Sequence, residues 1–277
     1  MKLNKTIHVM AKKMRIKALE MAFRAGNKGA HFGAGFSSMD ILAVLYGKIL
    51  RIDPSNPLLE GRDRFIPSKA HCTLSFYTAL AYAGFFNPEK LDTFEMNESD
   101  FGGHPSINDN IGIDFSGGSL GMGLSLGVGL ALSAKRKKTD ANIYVLVGDG
   151  ELDEGSNWEA VMSASQFKLD NLFIVVDRNK LQYDGLTDEV MNLGNLNEKF
   201  ISFGCNVYEV DGHNIDKLVE VFEISREQKN NKPNVIIANT IKGKGISFME
   251  NKKEWHHGSI NEQQYEQAMS ELLSEVK

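Results

Sequence analysis

Residues 143–150 read Ile-Tyr-Val-Leu-Val-Gly-Asp-Gly, an apolar run that ends directly in a glycine-bearing polar turn. A run of this length and composition predicts a buried strand. Three further runs have the same character: Leu172–Val176, Asn206–Val210 and Val235–Asn239. Helical patterns lie between these runs, over Trp158–Phe167, Leu193–Phe203 and Ile215–Gln228. Alternating strands and helices predict an α/β fold, with a mostly parallel sheet and helices on both faces.

The sequence outside this region predicts further helices within the same domain. Three segments that precede the sheet have helical character: Thr6–Arg24, Met39–Ile49 and Thr73–Ala83. Ser37 and Ser38 are candidate caps for the second of them. Ser259 and Glu262 form a capping-box pattern ahead of a polar terminal helix. Because no Pro/Gly/Ser linker divides the chain, we expect one domain over residues 1–277.

Composition excludes several classes of protein. The chain has 277 residues and a formal net charge of −5, which gives no electrostatic footprint for binding nucleic acid. Two cysteines, Cys72 and Cys205, cannot form a disulfide framework, so we expect a reducing, cytoplasmic location. The uncharged segment Phe115–Ala134 contains six glycines, which favours a closely packed buried helix over a membrane span.

Polar side chains follow two neighbouring strands at the points where those strands end. Gly148 and Gly150 would let the backbone approach a phosphate, and Asp149 between them is a hard oxygen ligand. Asn179 supplies an amide oxygen after the next strand. Ligands of parallel sheets bind beyond the carboxyl ends of the strands. The pattern is typical of a Mg²⁺ or Ca²⁺ site that holds a phosphate group, although such turns are also common in ordinary loops.

Two further groups of residues are candidates for chemistry. Five histidines lie in polar, glycine-rich surroundings, where an imidazole can move protons or donate to sugar hydroxyls: His31, His71, His104, His256 and His257. Any one of them is as well explained as a structural or solvated residue. Glu154 and Glu159 are either functional acids or favourable negative charges in the first turn of a helix.

A set of motifs spread over nearly the whole chain resembles the thiamine-diphosphate domain of transketolases. The central motifs are Gly148-Asp149-Gly150-Glu151-Leu152-Asp153-Glu154-Gly155, Trp158-Glu159-Ala160 and Asp177-Arg178-Asn179. Upstream stand Ser68-Lys69-Ala70-His71, Gly103-His104-Pro105 and Gly118-Ser119-Leu120-Gly121. Downstream stand Lys242-Gly243-Lys244-Gly245 and Trp255-His256-His257-Gly258. The resemblance implies a thiamine-diphosphate-binding fold of the diphosphate-binding (PP) type.

The resemblance also implies roles for individual residues. The expected ligands of a divalent ion, Mg²⁺ or Ca²⁺, are the side chains of Asp149 and Asn179 and the carbonyl of Leu181. The expected cofactor contacts are Gly150 and His71 at the diphosphate, and Gly118 and Leu120 at the aminopyrimidine. Glu154 and Glu159 match acids that link paired active sites across the dimer. The expected sugar-channel histidines are His31, His104 and one of His256 and His257, with His257 preferred.

The activity implied by the resemblance is transfer of a two-carbon ketol unit from a phosphorylated or similarly anionic ketose to an aldose, in carbohydrate metabolism that includes pentose phosphates. In this family a glutamate of a second, pyrimidine-binding domain completes the site. We therefore expect an α2β2 heterotetramer with a separate C-terminal subunit. The alternatives are a deoxyxylulose-phosphate synthase-like or 2-oxo-acid dehydrogenase-like subunit, or else a non-catalytic regulator that binds the cofactor.

Two positions depart from the family pattern. Ala70 stands where the family has glycine, and Phe32 stands where it has proline or a small apolar residue. We expect both residues to flank the sugar channel, so the donor sugar cannot be assigned by resemblance.

Overall fold

Five parallel strands form the centre of the chain in a computed structural model that describes residues 2–274. The strands are β1 (Arg64–Pro67), β2 (Ile143–Gly148), β3 (Leu172–Arg178), β4 (Asn206–Asp211) and β5 (Asn234–Asn239). Their order across the sheet is β1-β2-β3-β5-β4, and every neighbouring pair is parallel. The predicted mostly parallel α/β fold is confirmed.

Ten α-helices surround this sheet in the described part of the chain. Five precede β2: α1 (Lys2–Arg24), α2 (Phe32–Ser37), α3 (Met39–Val44), α4 (Thr73–Ala83) and α5 (Met122–Lys137). Three lie between β2 and β4: α6 (Gly155–Gln166), α7 (Thr187–Val190) and α8 (Leu196–Ser202). The remaining two are α9 (Ile215–Glu227) and α10 (Glu262–Ser274). A π-helical segment, Leu45–Ile49, continues α3 to the boundary predicted from the sequence.

Two hydrophobic cores lie on opposite faces of the sheet because side chains alternate along each strand. Tyr144, Phe173 and Ile236 pack into one core with residues of α1, α3, α4 and α9. Val145, Ile174 and Ile237 pack into the other core with residues of α5, α6 and α8. The sheet is therefore covered on both sides, which explains why its three central strands, β2, β3 and β5, read as continuous apolar runs.

Several boundaries differ from those that the sequence predicts. Strand β1 was missed, because its four residues include Arg64 and Pro67 and carry no β-branched run. It lies at the edge of the sheet, where proline is tolerated. Helix α5 begins only at Met122, since the residues before it form a loop. Helix α8 begins after Asn195, whose side chain accepts a hydrogen bond from the amide of Glu198 at 3.3 Å.

Two of the predicted caps are wrong. Ser38 Oγ bonds to the carbonyl of Ala34 at 2.9 Å and makes no cap for α3. At α10 the reciprocal pair is Asn261 and Gln264: the amide of Asn261 donates to Gln264 Oε1 at 3.0 Å, and the amide of Gln264 donates to Asn261 Oδ1 at 2.9 Å. The capping box therefore lies two residues later than Ser259 and Glu262, with amide side chains in both positions.

Across residues 2–274, no helix combines the length and the apolar character that a membrane crossing requires.

The glycines of helix α5 allow it to pack closely on the sheet, and substitution of these glycines tests that packing. A Cβ at Gly127 would lie 2.4 Å from Val145 Cγ2 of β2, whereas a Cβ at Gly129 meets nothing within 4 Å. Gly127→Ala should destabilise the chain by about 1–3 kcal/mol through overpacking. Gly129→Ala, the matched control on the exposed face, should stabilise it by about 0.5–1 kcal/mol. Urea denaturation measures both, and equal effects would contradict this packing.

Candidate active site

A cavity of about 360 Å³ opens at the carboxyl ends of the strands. Its walls come from the loops after β1, β2, β3 and β5, joined by the start of α2, the loop before α5 and the segment after residue 255. Eleven of the residues predicted from the sequence line it: His31, His71, His104, Gly118, Leu120, Asp149, Gly150, Glu154, Asn179, Leu181 and His256. The structure thus brings together residues that are up to 225 positions apart, from His31 to His256.

Oxygen atoms of the β2 and β3 loops converge on one side of the cavity. Asp149 accepts hydrogen bonds from the amides of Gly150 at 2.9 Å and Lys180 at 2.5 Å. Asn179 Oδ1 accepts from the amide of Leu181 at 3.1 Å. Burial, with the nearby charge of Asp177, raises the pKa of Asp149 to about 6. The arrangement places a carboxylate and an amide oxygen beside the same turn.

The described residues contain no group of three His, Cys, Asp or Glu side chains that could hold a metal ion. A cation bound here would therefore depend on one carboxylate, Asp149, together with amide and backbone oxygens. The Leu181 carbonyl, the expected backbone ligand, accepts a hydrogen bond from Lys242 Nζ at 2.9 Å. That lysine lines the same cavity.

Glu151 is a buried acid to which the sequence assigned no role. Its carboxylate accepts hydrogen bonds from Ser68 Oγ, from the amide of Gly121 at 2.9 Å and from the amide of Gly148 at 3.0 Å. These bonds tie the start of α5 to the end of β2. Because Gly118 and Leu120 lie in the loop just before Gly121, Glu151 fixes the wall to which they belong.

A buried ion pair lies at the floor of the cavity. Lys69 Nζ contacts Asp177 Oδ2, and both side chains are almost wholly inaccessible to solvent. Asp177 also accepts hydrogen bonds from Ser37 Oγ at 2.6 Å and from Thr240 Oγ1. Although burial opposes ionisation, the charge of Lys69 and these hydrogen bonds hold the pKa of Asp177 below its usual value.

The histidines of the cavity form a cluster. The ring of His31 lies 5.4 Å from that of His71, 5.3 Å from that of His104 and 5.8 Å from that of His256. Burial, with nearby imidazoles, lowers the pKa of His31 to about 3. Burial, with the charge of Lys242, lowers the pKa of His256 to about 4. Both imidazoles are therefore neutral near pH 7, so each offers one hydrogen-bond donor and one acceptor.

His257 does not line the cavity, contrary to the expectation that preferred it over His256. Its ring packs at 4.5 Å from that of His31, outside the lining side chains. The backbone explains this placement, because Ala30 and Gly258 form an antiparallel bridge with N–O distances of 2.8 and 3.1 Å. The bridge holds the pair of histidines beside His31 and leaves the ring of His256 facing inward.

The two acids expected at a dimer contact take different positions. Glu154 caps the start of α6 through its backbone and lines the cavity. Glu159 lies on α6, outside the cavity lining. Their role in linking active sites stays a prediction.

Neither departure from the family pattern lies among the residues that line the cavity, although each adjoins one: Phe32 follows His31, and Ala70 stands between Lys69 and His71. Phe32 is fully buried, with its ring 5.5 Å from that of Trp255 and 6.3 Å from that of Phe36. Ala70 is also fully buried, against Gly117, where a Cβ would lie 2.8 Å from the Ala70 Cβ. Both side chains fill core space and leave the shape of the channel to other residues.

Sequence reasoning missed seven side chains that line the cavity: Ala34, Lys69, Glu151, Asp153, Gln182, Tyr183 and Lys242. Four of them stand inside motifs quoted above, among them Lys69, which lies two residues before His71, and Lys242, which directly precedes Gly243. Their membership of these motifs could have marked them as site residues. Tyr183 is exposed, with its ring 5.3 Å from that of His256. Nothing in its sequence context marks it, because its position depends on how the β3 loop folds over the cavity.

The neutral histidines predict a pH dependence of stability. The unfolded chain takes up protons near the ordinary pKa of 6.5, whereas folded His31 does so only near 3. The free energy of unfolding should therefore fall as the pH is lowered from 7 to 5, by at most about 2 kcal/mol per imidazole. Urea denaturation at both pH values measures this decrease.

His31→Asn should make the decrease shallower, and His8→Asn, on the exposed surface of α1, should leave it as in the wild type. A decrease of unchanged size in His31→Asn would contradict the attribution of this pH dependence to His31.

Comparisons with known proteins agree with this geometry. Residues 7–274 match the family model described as "Transketolase, thiamine diphosphate binding domain". The chain is 40% identical over 272 residues to one of the subunits of apulose-4-phosphate transketolase from Phocaeicola vulgatus, covering 98% of this chain and 95% of that protein. It is 41% identical over 245 residues to 6-deoxy-6-sulfo-D-fructose transketolase subunit SqwG of a Clostridium species, covering 88% and 89%.

Among solved structures, the transketolase of Campylobacter jejuni superposes with a TM-score of 0.89 at 28% identity, covering 98% of this chain. The chain spans 43% of the length of that transketolase. These likenesses do not favour the synthase-like or dehydrogenase-like alternatives. With a matched cofactor domain and the predicted residues assembled in one cavity, this chain belongs to the transketolase family, of which it carries the thiamine-diphosphate-binding domain.

Proposed function

We propose that this chain is the cofactor-binding subunit of a two-subunit transketolase that transfers a two-carbon ketol unit from an anionic ketose to an aldose. The observation that carries the proposal is the cavity itself, in which hard oxygen atoms and a cluster of histidines line the same space. The relatives named above are themselves described as transketolase subunits, which implies a partner for each of them. We further expect a cytoplasmic location and a role in carbohydrate metabolism, including that of pentose phosphates.

The cavity residues fit thiamine diphosphate with a divalent cation. Asp149, Asn179 and the Leu181 carbonyl offer the carboxylate, amide and backbone oxygens that Mg²⁺ prefers, and Ca²⁺ accepts the same atoms. A Cβ at Gly150 would lie 2.8 Å from the Gln182 Cβ, so glycine lets these two loops close together. Gln182 Oε1 and His31 Nδ1 are buried without a hydrogen-bond partner, which leaves polar capacity for a ligand.

Each wall of the cavity has a part in the proposed reaction. When bound, thiamine diphosphate would supply a nucleophilic carbon for addition to the ketose carbonyl and an acceptor for the electron pair released when the bond between carbons two and three breaks. His71 and Gly150 would hold its diphosphate, and the loop that contains Gly118 and Leu120 would face its aminopyrimidine. Neutral His31 and His256 would donate hydrogen bonds to the sugar hydroxyls or accept them, with His104 at the cavity mouth.

An anionic donor is the substrate class that we propose. The names of two relatives contain the sugars apulose 4-phosphate and 6-deoxy-6-sulfo-D-fructose. The first sugar carries a phosphate and the second a sulfonate. We place the binding site for that negative charge in the partner subunit.

The surface that we assign to the partner subunit is a groove beside the cavity. It measures about 740 Å³ and is lined by the loop of residues 115–119 and the exposed side of α5. Met122 and Leu126, at 56% and 38% exposure, give it an apolar floor. His104 and Gly118 line both the groove and the cavity, so a protein in the groove would reach the cofactor. This continuity favours one occupant of the groove, a C-terminal transketolase subunit.

Assembly as an α2β2 heterotetramer extends this proposal. Met162 on α6 is 59% exposed, and Glu159 stands on the same helix. If two αβ heterodimers contacted each other through α6, Glu159 would lie at the interface between them and Glu154 would lie close to it.

Loss of the Asp149 carboxylate should abolish binding of the cofactor. Calorimetry of the chain with thiamine diphosphate and Mg²⁺ should give a heat of binding in the wild type and none in Asp149→Ala, since the cation loses its only carboxylate in this set. Asp109→Ala, a matched change at an exposed loop position, should bind as the wild type does. Undiminished binding by Asp149→Ala would overturn the proposed cation site.

Donor cleavage should require both subunits. The chain alone should show no ketose cleavage, and addition of the candidate C-terminal subunit should restore it. Leu126→Glu should prevent assembly, as measured by light scattering, because a charge would be buried in an apolar interface. Ile201→Glu, at an exposed apolar residue of α8 outside the groove, is the control and should assemble normally. Full activity from the chain alone, or normal assembly of Leu126→Glu, would contradict the proposal.

A further inference from the structure

His213 lies outside the candidate active site, in the turn between β4 and α9, and joins two distant parts of the fold. Its Nδ1 lies 2.9 Å from Asp40 Oδ2 in α3. Its Nε2 accepts a hydrogen bond from the amide of Ile241 at 2.8 Å. Arg15 of α1 holds Asp40 from the other side, with N–O distances of 2.9 and 2.6 Å. The side chains of Arg15, Asp40 and His213 therefore form a hydrogen-bonded chain that connects α1 to the segment after β5.

The hydrogen bonds of His213 determine its tautomer. A backbone amide can only donate, so Nε2 must carry a lone pair and the ring proton must reside on Nδ1. That proton is donated to the Asp40 carboxylate, whose pKa lies well below its usual range because the charge of Arg15 and the hydrogen bond from His213 outweigh the effect of burial. Asp40 thus orients the ring so that its acceptor faces Ile241.

A glycine brings this turn close enough for the contact. The amide of Gly212 donates to the carbonyl of Asn239 at 2.8 Å. A Cβ at Gly212 would lie only 2.4 Å from Thr240 Cγ2, so a larger residue would push the turn away from the end of β5. Thr240 itself is held on its other side by the hydrogen bond of its hydroxyl to Asp177.

Ile241 directly precedes Lys242, whose side chain enters the cavity. Lys242 is 2% exposed, and its Nζ lies 2.9 Å from the Leu181 carbonyl and 3.1 Å from His256 Nδ1. Its stem passes Gly33, where a Cβ would lie 2.7 Å from Lys242 Cε. The ammonium group therefore has little room to move independently of its own backbone, which makes its position sensitive to the backbone at Ile241.

We propose that His213, oriented by Asp40, is a positioning residue that fixes the backbone at Ile241 and so directs the Lys242 ammonium group into the cofactor cavity. The inference rests on the proposed function only in taking this cavity as the cofactor site. His213 acts from outside the cavity, as its ring is absent from the lining.

Two amide variants of the full chain separate this role from a merely structural one. His213→Asn keeps a donor at the place of Nδ1 for Asp40 but cannot reach the amide of Ile241. His213→Gln keeps an acceptor near the place of Nε2 for Ile241 and gives up the donor to Asp40. The matched control is His8→Gln, at an exposed histidine of α1.

Three measurements apply to each variant, and two of them need no cofactor. Hydrogen exchange reports the protection of the Ile241 amide, and labelling with an amine-reactive reagent reports the accessibility of Lys242. Calorimetry gives the Kd for thiamine diphosphate with Mg²⁺. His213→Asn should accelerate exchange at Ile241, speed labelling of Lys242 and raise the Kd, each by about tenfold, the effect of losing one hydrogen bond. His213→Gln and His8→Gln should stay within about twofold of the wild type, since each retains the acceptor for Ile241.

The opposite ranking, with His213→Gln impaired and His213→Asn normal, would overturn the proposal, because it would show that His213 serves only to satisfy Asp40. Equal behaviour of the two variants, whether both normal or both impaired, would overturn it as well. If the wild type bound no cofactor, the proposed function would fail, while the exchange and labelling results would still decide the role of His213.

Discussion

The buried ion pair between Lys69 and Asp177 is the constraint on which the rest of the site depends. It joins the end of β1 to the end of β3, and Asp177 also binds Ser37 of α2 and Thr240 after β5. Removing one partner would leave a buried charge without compensation, which is far costlier than losing an exposed pair. The pair therefore holds four segments in one arrangement, and the cavity forms above it.

The remaining parts of the site are built outward from this floor by short polar contacts. Glu151 ties the turn after β2 to the start of α5, and the bridge between Ala30 and Gly258 sets the histidine cluster beside it. Lys242 reaches the cavity from the segment that Thr240 anchors and that His213 supports. These contacts restrict the loops that line the cavity, which reduces the entropy that binding would cost.

Much of this arrangement could be predicted because it depends on local pattern. Four strands were predicted from apolar runs, and Asp149 and Asn179 follow from the strand ends at which they stand. Strand β1 was not predicted, because it has no apolar run of its own. It forms a strand only through its pairing with β2. Glu151 escaped because its partners, Ser68 and Gly121, become neighbours only when α5 packs on the sheet.

By itself the sequence determined the α/β class, the parallel sheet, the resemblance to transketolases and the set of residues from which the site is drawn. Only the tertiary structure decided which of these residues face inward. His256 lines the cavity, where its Nδ1 lies 3.1 Å from Lys242 Nζ, and His257 does not, since its ring packs against that of His31. Phe32 points into the core, because Trp255 and Phe36 offer it apolar contacts. Side-chain direction depends on neighbours that are remote in the sequence, and local pattern carries no information about them.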